Sequence, residues 1–261
     1  MIVALRGYNT YFDSSRAAGD AEVVVGGLLS TVEEWEQFEI SWRLTLAKFD
    51  VPYFHMREFN SHSSRGAFKH PKWRTESYRA EFMSHLTQIM RGWAAACIVS
   101  SIKKQTFDKY NAAYAVDERF TMFSLCARDC VAHTRKFIKE NGNPELPTAY
   151  IFDRGDEGEE LLRKEMVTCG YPAPVFKRSR PDLKHPEIDK EDPFHVQLQA
   201  CDLAAWEVRR GENDYVSGVP TNELRKSLLA LAPIRRIWVE TREPDMEGLI
   251  QVAKIRKRKR K

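Results

Sequence analysis

Glu22-Val23-Val24-Val25-Gly26-Gly27-Leu28-Leu29 is the stretch that decides the fold. It carries a single charge and is β-branched over Val23–Val25, so it reads as a strand covered on both faces at the centre of a sheet. Gly26-Gly27 inside such a strand marks a bulge or a close backbone approach. Ser30-x-x-Glu33 and Thr31-x-x-Glu34 both fit a capping box. Trp35, Phe38, Trp42, Leu46 and Phe49 then recur at steps of four and three, one apolar stripe on a helix. A central strand leading into an amphipathic helix points to a layered α/β or α+β protein.

The same alternation extends in both directions. Leu5 to Asp13 is rich in Tyr, Thr and Phe and reads as a strand ending in the turn Asp13-Ser14-Ser15. Val51-Pro52-Tyr53-Phe54-His55 reads as a short strand running into Met56–Phe59, and Asn60 to Thr75 as a polar, basic surface loop. Tyr78, Phe82, Leu86, Ile89 and Trp93 mark a second helix, Ala94 to Ile102 a strand. Phe120, Phe123, Ala127, Cys130, Thr134 and Phe137 mark a third helix that stops near Asn141-Gly142-Asn143-Pro144. Thr148 to Phe152 is a buried-type strand opening into Asp153-Arg154-Gly155-Asp156-Glu157, acids that suit the N-terminus of the next helix, lined by Leu161, Leu162, Met166 and Cys169. Pro181 to Pro193 is a charged loop and His195 to Arg210 a helix. Weaker helix and strand signals follow at Asn222–Leu231 and Ile234–Val239. The expectation is one domain over residues 1–253 with a tail at 254–261.

Composition sets limits. The chain has 261 residues, 43% hydrophobic and 30% charged, enough for a sizeable core and unlike disordered or collagen-like chains. The formal charge is +4, but Lys254 to Lys261 hold seven Lys or Arg and no acid. Removing those seven from the 41 Lys and Arg leaves 34 against 37 Asp and Glu, a net charge of −3 for the body. The tail therefore reads as disordered on its own, and Lys254, Arg256, Lys257, Arg258, Lys259, Arg260 and Lys261 as salt-sensitive phosphate contacts. The longest strongly apolar run, Trp93 to Val99, is far below the ~18 residues of a membrane helix. The opening residues do not read as a secretory signal. Five scattered cysteines (Cys97, Cys126, Cys130, Cys169, Cys201) argue for a reducing compartment, so a cytoplasmic location is expected and no membrane partner.

Four acids stand out by position. Asp13 and Asp153 end strands, Glu58 follows a short strand just after His55, and Asp202 shares a helical face with Leu198, Cys201, Ala205 and Trp206. An unpaired carboxylate on a packed face is costly. Several carboxylates brought together raise one another's pKa, and a divalent cation resolves that conflict. The alternative for each acid alone is a turn, a cap or a core Arg partner.

Tyr11-Phe12-Asp13-Ser14-Ser15, Gly26-Gly27, the Trp35 helix, Phe54-His55 with Glu58, Phe152-Asp153 and Gln199-Ala200-Cys201-Asp202-Leu203-Ala204 come in an order that resembles a widespread bacterial and phage family. That family is catalogued as a domain of unknown function within the ribonuclease H-like superfamily. Its members open with Tyr-x-Asp-Glu-Ser-Gly and close with a Gln-x-x-Asp-Leu helix. The resemblance spans most of residues 5–212. It implies a mixed central sheet flanked by helices, with metal-binding acids near the ends of central strands; by position Asp13 is the first-strand carboxylate, Asp153 the later-strand carboxylate and Asp202 the last-helix carboxylate, with Glu58 a further candidate. Mg²⁺ or Mn²⁺ is the implied cofactor. Ser14 stands where the family has Glu, and Ser15-Arg16 replaces Ser-Gly. Asp156 or Glu157, one helical step from Asp153, is placed to supply the missing carboxylate.

His55 reads as a general acid–base or substrate contact under the family pattern, and as a strand-end histidine without it. Cys126, Cys130 and His133 fall at i, i+4 and i+7 but lack the further ligands of a zinc site, so core packing is expected. His185 and His195 flank the acidic loop as surface groups. Gly26-Gly27 lacks the helix start of a phosphate loop. The loop Arg65–Arg74 offers a second backbone contact, with Trp73 placed to stack on a base, against the plainer reading of a solvated loop.

These readings converge on a metal-dependent nuclease, with Asp13, Asp153, Asp202 and Glu58 as ligands and Glu58 or His55 assisting the attacking water. The alternatives are a non-catalytic nucleic-acid-binding or interaction protein on the same fold, in phage or mobile-element conflict, and hydrolysis of a small nucleotide.

Overall fold

The computed structural model describes residues 7–16, 21–61, 66–182, 187–218, 220 and 225–257. Leu5, Arg65, His185, Asn222 and Arg258–Lys261, all part of the sequence reading, lie outside the described residues. The strands are β1 (Tyr8–Arg16), β2 (Glu22–Thr31), β3 (Ala96–Lys103), β4 (Thr148–Asp153), β5 (Val175–Lys177) and β6 (Arg236–Glu240). They form a six-stranded mixed sheet in the order β5-β4-β1-β2-β3-β6. β2 is antiparallel to both neighbours; the β1–β4, β4–β5 and β3–β6 pairs are parallel. The chain is thus an α/β protein with helices on both faces of the sheet.

The helices are α1 (Val32–Lys48), α2 (Met56–Asn60), α3 (Glu76–Trp93), α4 (Lys104–Ala113), α5 (Met122–Asn141), α6 (Glu159–Thr168), α7 (Ile188–Glu191), α8 (Val196–Val216), α9 (Lys226–Ala230) and α10 (Glu243–Val252). α1, α3 and α8 cover one face, packing on Tyr11, Val24 and Leu28; α4, α5, α6 and α10 cover the other, packing on Phe12, Val23, Val25 and Leu29. β2 is buried on both sides as its sequence requires.

At Gly26 a Cβ would sit 2.9 Å from the Ala205 Cα of α8, and at Gly27 2.1 Å from the Phe12 ring. The pair is a close approach, not a bulge, since the β1–β2 register runs unbroken. Of the two possible capping boxes, Thr31–Glu34 forms; the Ser30 hydroxyl is bonded instead to the Glu34 carboxylate and the Trp93 carbonyl.

Several expectations change. β1 does not end at Asp13: pairing with β2 carries it to Arg16↔Val23, and only the parallel pairing with β4 stops there, at Phe12↔Phe152. Val51–His55 forms no strand and pairs with none among the described residues. Side chains of α8 take the place of one: the Phe54 N–H donates to Gln199 Oε1 (2.9 Å) and the Met56 N–H to Asp202 Oδ2 (2.6 Å). The Asn60–Thr75 segment is not a plain solvated loop. Pro71–Arg74 forms a 3-10 turn, and Phe68 and Trp73 are buried against Phe59 and Phe82, so Trp73 offers no face to a base. α4, β5, α7 and α10 were not anticipated; α4 buries only Phe107 and Tyr110, too few for a visible stripe.

Lys254–Lys257 are held rather than disordered. The Ala115 N–H donates to the Arg256 carbonyl (3.0 Å), Lys257 bridges to Tyr114, and Arg256 pairs with Glu118 at 2.6 Å. Cys126 and Cys130 are fully buried, each donating its thiol to a β2 carbonyl, the packing role expected of them. Among the described residues no helix is long and apolar enough to cross a membrane.

Candidate functional site

β1 and β4 run side by side, and Asp13 and Asp153 are the residues immediately after their last parallel pair, Phe12↔Phe152. Side chains alternate along a strand. Phe12 and Phe152 fill the core beneath α5, so Asp13 and Asp153 turn to the opposite face, where Tyr11 and Ile151 pack with α8. Asp202 descends from α8 to the same place and is 8% exposed. Gly26 lets α8 lie close enough for this to happen. The three acids line one cleft of about 750 Å³.

Each acid has a local partner. Asp13 accepts from the Ser14 N–H (2.6 Å), Asp153 from the Ser179 N–H and hydroxyl (3.0 and 2.9 Å), and Asp202 from the Met56 N–H. These bonds do not offset the crowding. Burial, then the charges of Asp153, Asp202 and Asp156, raise the Asp13 carboxyl well above its usual range. Burial raises Asp202 to about 7, with the Met56 N–H opposing and Asp153 adding to the rise. Burial also raises Asp153, against the two Ser179 hydrogen bonds. Carboxylates crowded in this way hold their protons to higher pH than free ones unless a cation joins them.

Asp156 completes the acidic group. Ser14 donates its hydroxyl to Asp156 (2.9 Å), and Arg16 pairs with the same oxygen at 2.8 Å. The β4–α6 turn thus delivers a carboxylate beside Ser14. Glu157 is exposed, its backbone carbonyl accepting from Thr121.

His55 caps the start of α2 and lines the cleft. Burial, and then the Arg180 charge, lower its pKa to about 4, so the ring is neutral at pH 7. Its Nδ1 is buried and, among the described residues, lacks a hydrogen-bond partner; Glu58 Oε1 is 3.5 Å away. Glu58 itself is not part of the cleft lining. Its oxygens are held by the Tyr53 hydroxyl (2.9 and 3.2 Å), the Ala67 N–H (3.2 Å) and Arg180 (3.3 Å). Glu58 therefore stands behind His55 and Arg180. His195 lies outside the cleft, 6.0 Å from the Tyr11 ring.

The sequence reading missed the arginines. Arg16, Arg57, Arg154, Arg180 and Arg209 all line the cleft around the acids. Arg16 pairs with Asp156, Arg154 with Asp192 and Arg180 with Glu58; Arg209 donates to the Ser15 hydroxyl. A signal was present. Arg16 and Arg154 follow Asp13 and Asp153 by three residues and one, and Arg209 lies two helical turns after Asp202. An acidic floor with a guanidinium rim suits a phosphate carrying or meeting a cation. Among the described residues no three His, Cys, Asp or Glu side chains form a ready-made metal cage.

No family model, curated protein or solved structure matches the chain.

Proposed function

We propose that this protein is a divalent-metal-dependent phosphodiesterase acting on nucleic acid, built on a ribonuclease H-like sheet. The observation that carries the reading is the convergence of half-buried Asp13 and Asp153 and buried Asp202 in one arginine-rimmed cleft, with the Asp13 carboxyl raised by desolvation and then by the charges of the other acids. The mixed sheet with helices on both faces and acids beside adjacent central strands is what the family resemblance implies. The donor set is all carboxylate, which suits Mg²⁺ or Mn²⁺ rather than a thiolate-seeking metal. Asp13, Asp153 and Asp202 would hold the ion, with Asp156 as the further carboxylate that the Ser14 hydroxyl holds. A bound ion of this kind activates water and stabilises the leaving oxygen of a phosphodiester.

The chain's own groups supply the rest. The arginines bind and orient the phosphate through paired N–H donors. The neutral His55 ring is available to hold or pass a proton at the cleft wall, while Glu58 and Tyr53 fix Arg180 and the α2 turn. The test is cleavage of single-stranded, duplex and hybrid substrates with Mg²⁺ or Mn²⁺. The wild type is expected to cut at least one of them, and Asp13→Asn to lose 10²-fold or more of the rate. Equal activity in the variant defeats the proposal.

A second reading is a non-catalytic nucleic-acid-binding scaffold. The carboxylates' existing partners and the absence of a closed cage among the described residues favour it. Calorimetry separates the two, since a scaffold shows no Mn²⁺ binding that depends on Asp13 or Asp202.

A further inference from the structure

Trp206 forms part of two walls. On one side it lines the acid cleft; on the other it lines a second cavity of about 660 Å³. α2 divides the two, giving His55 and Arg57 to the cleft and Met56, Phe59 and Asn60 to the second cavity. That cavity has an apolar floor in which Met56, Phe59 and Met83 are buried. Two guanidinium groups lie on aromatic rings at its edge: Arg79 is 4.0 Å from the Phe59 ring centre and Arg225 is 5.0 Å from that of Trp206. Arg225 is held in place by Glu207, whose buried carboxylate also takes the Ser227 hydroxyl.

Cavities of this size hold small ligands, and an apolar floor with convergent polar groups gives them orientation. Aromatic faces and guanidinium planes stack on flat π systems, as they do on unpaired bases. A ligand reaching both spaces has an anionic part for the arginine-rimmed cleft and a flat part for the second cavity. We propose that the second cavity receives the nucleobase adjoining the phosphate bound in the acid cleft, with Arg79, Trp206 and Arg225 forming its walls above the Phe59 floor. This rests on the phosphodiesterase reading and adds the substrate class of that site: an unpaired nucleotide whose base is turned out beside the phosphate.

Ser84 and Ala80 are exposed residues of α3 that line this cavity and not the acid cleft. Ser84→Trp fills it, Ala80→Phe blocks the same edge as a second variant, and Ser84→Ala is the control. Calorimetry on the full chain with Mn²⁺ compares AMP and CMP with ribose 5-phosphate, which has the phosphate and no base. The wild type and Ser84→Ala are expected to bind the nucleotides about tenfold or more tightly than ribose 5-phosphate, and the blocked variants to lose that preference. In cleavage assays, an oligonucleotide with a single abasic site at one position raises KM about tenfold for wild type and leaves the blocked variants unchanged, with kcat preserved. Equal binding of nucleotides and ribose 5-phosphate by the wild type overturns the proposal, as does a preference that survives in folded Ser84→Trp and Ala80→Phe. Loss of the preference in the blocked variants without any cleavage activity supports the base pocket while defeating the phosphodiesterase reading.

Discussion

Asp202 lies on α8 between Cys201 and Leu203, with one oxygen bound by the Met56 N–H and the carboxyl raised to about 7. An unfolded Asp titrates near 3.9. Between those two values the folded chain binds more protons at this site than the unfolded chain does, so the site's contribution to stability falls as pH rises through the interval. Asp202→Asn keeps an acceptor for the Met56 N–H and removes the charge. In EDTA, the variant is expected to be more stable than wild type by about 1–3 kcal/mol at pH 8 and nearly equal to it at pH 4. Thermal unfolding across pH measures this; a wild type that matches the variant at pH 8 contradicts the raised carboxyl. Mn²⁺ at pH 8 should then lift the wild-type Tm more than the variant's, because an ion that binds only the folded state stabilises it.

The Gln-x-x-Asp spacing of α8 has a mechanical reading at the level of elements. Gln199 and Asp202, about one helical turn apart, hold the N–H groups of Phe54, in the segment before α2, and of Met56, the first residue of α2. A helix thereby does for Val51–His55 what a partner strand would do, and it fixes His55 between the two bonds. Gln199 also accepts from Trp42 Nε1 (3.0 Å) and donates to the Ser179 carbonyl (2.7 Å), next to the groups that hold Asp153. Gln199→Leu orphans three buried polar partners and is expected to cost about 2–4 kcal/mol, read by urea unfolding. A cost within 0.5 kcal/mol of zero shows that these bonds do not organise the site. The same region shows what was legible in the sequence. Buried strands and long stripes such as β2, α1 and α3 are legible because their pattern repeats over many residues. Asp13 and Asp153 are legible because each directly follows an apolar strand run, and Asp202 because it interrupts an apolar helical stretch. The pairing of Val51–His55 with a helix is not legible, since an extended segment reads the same whether a strand or two side chains satisfy it. β5 has three residues and no pattern to read. The arginine rim is hidden because its members come from β1, α2, α8 and two turns, and only the fold brings them together.

Across the whole molecule, charge is divided between the body, net −3 without its last eight residues, and a basic run whose first four residues are tied down. β1 and β3 run in the same direction, both antiparallel to β2, so α4 leaves β3 at the end of the sheet where Asp13 stands. Glu118, which holds Arg256, comes three residues before Thr121, whose hydroxyl donates to the Glu157 carbonyl beside Asp156. The basic run therefore begins at the acid-cleft end of the molecule. Deleting residues 254–261 would also remove the bonds of Arg256 and Lys257, so the cleaner experiment ends the chain at Lys257 and removes the Arg258–Lys261 charges alone. If those four cations meet a polynucleotide, the salt dependence of binding flattens by about 0.7 per lost contact on a single strand and 0.9 on a duplex. Affinity for a long strand at low salt should fall tenfold or more, while hydrolysis of a dinucleotide, which spans only the cleft, stays unchanged. A truncated chain with the same salt slope as the full one would place the polyanion contacts on the cleft arginines, and an Arg57→Ala, Arg209→Ala pair would then carry the lost slope instead.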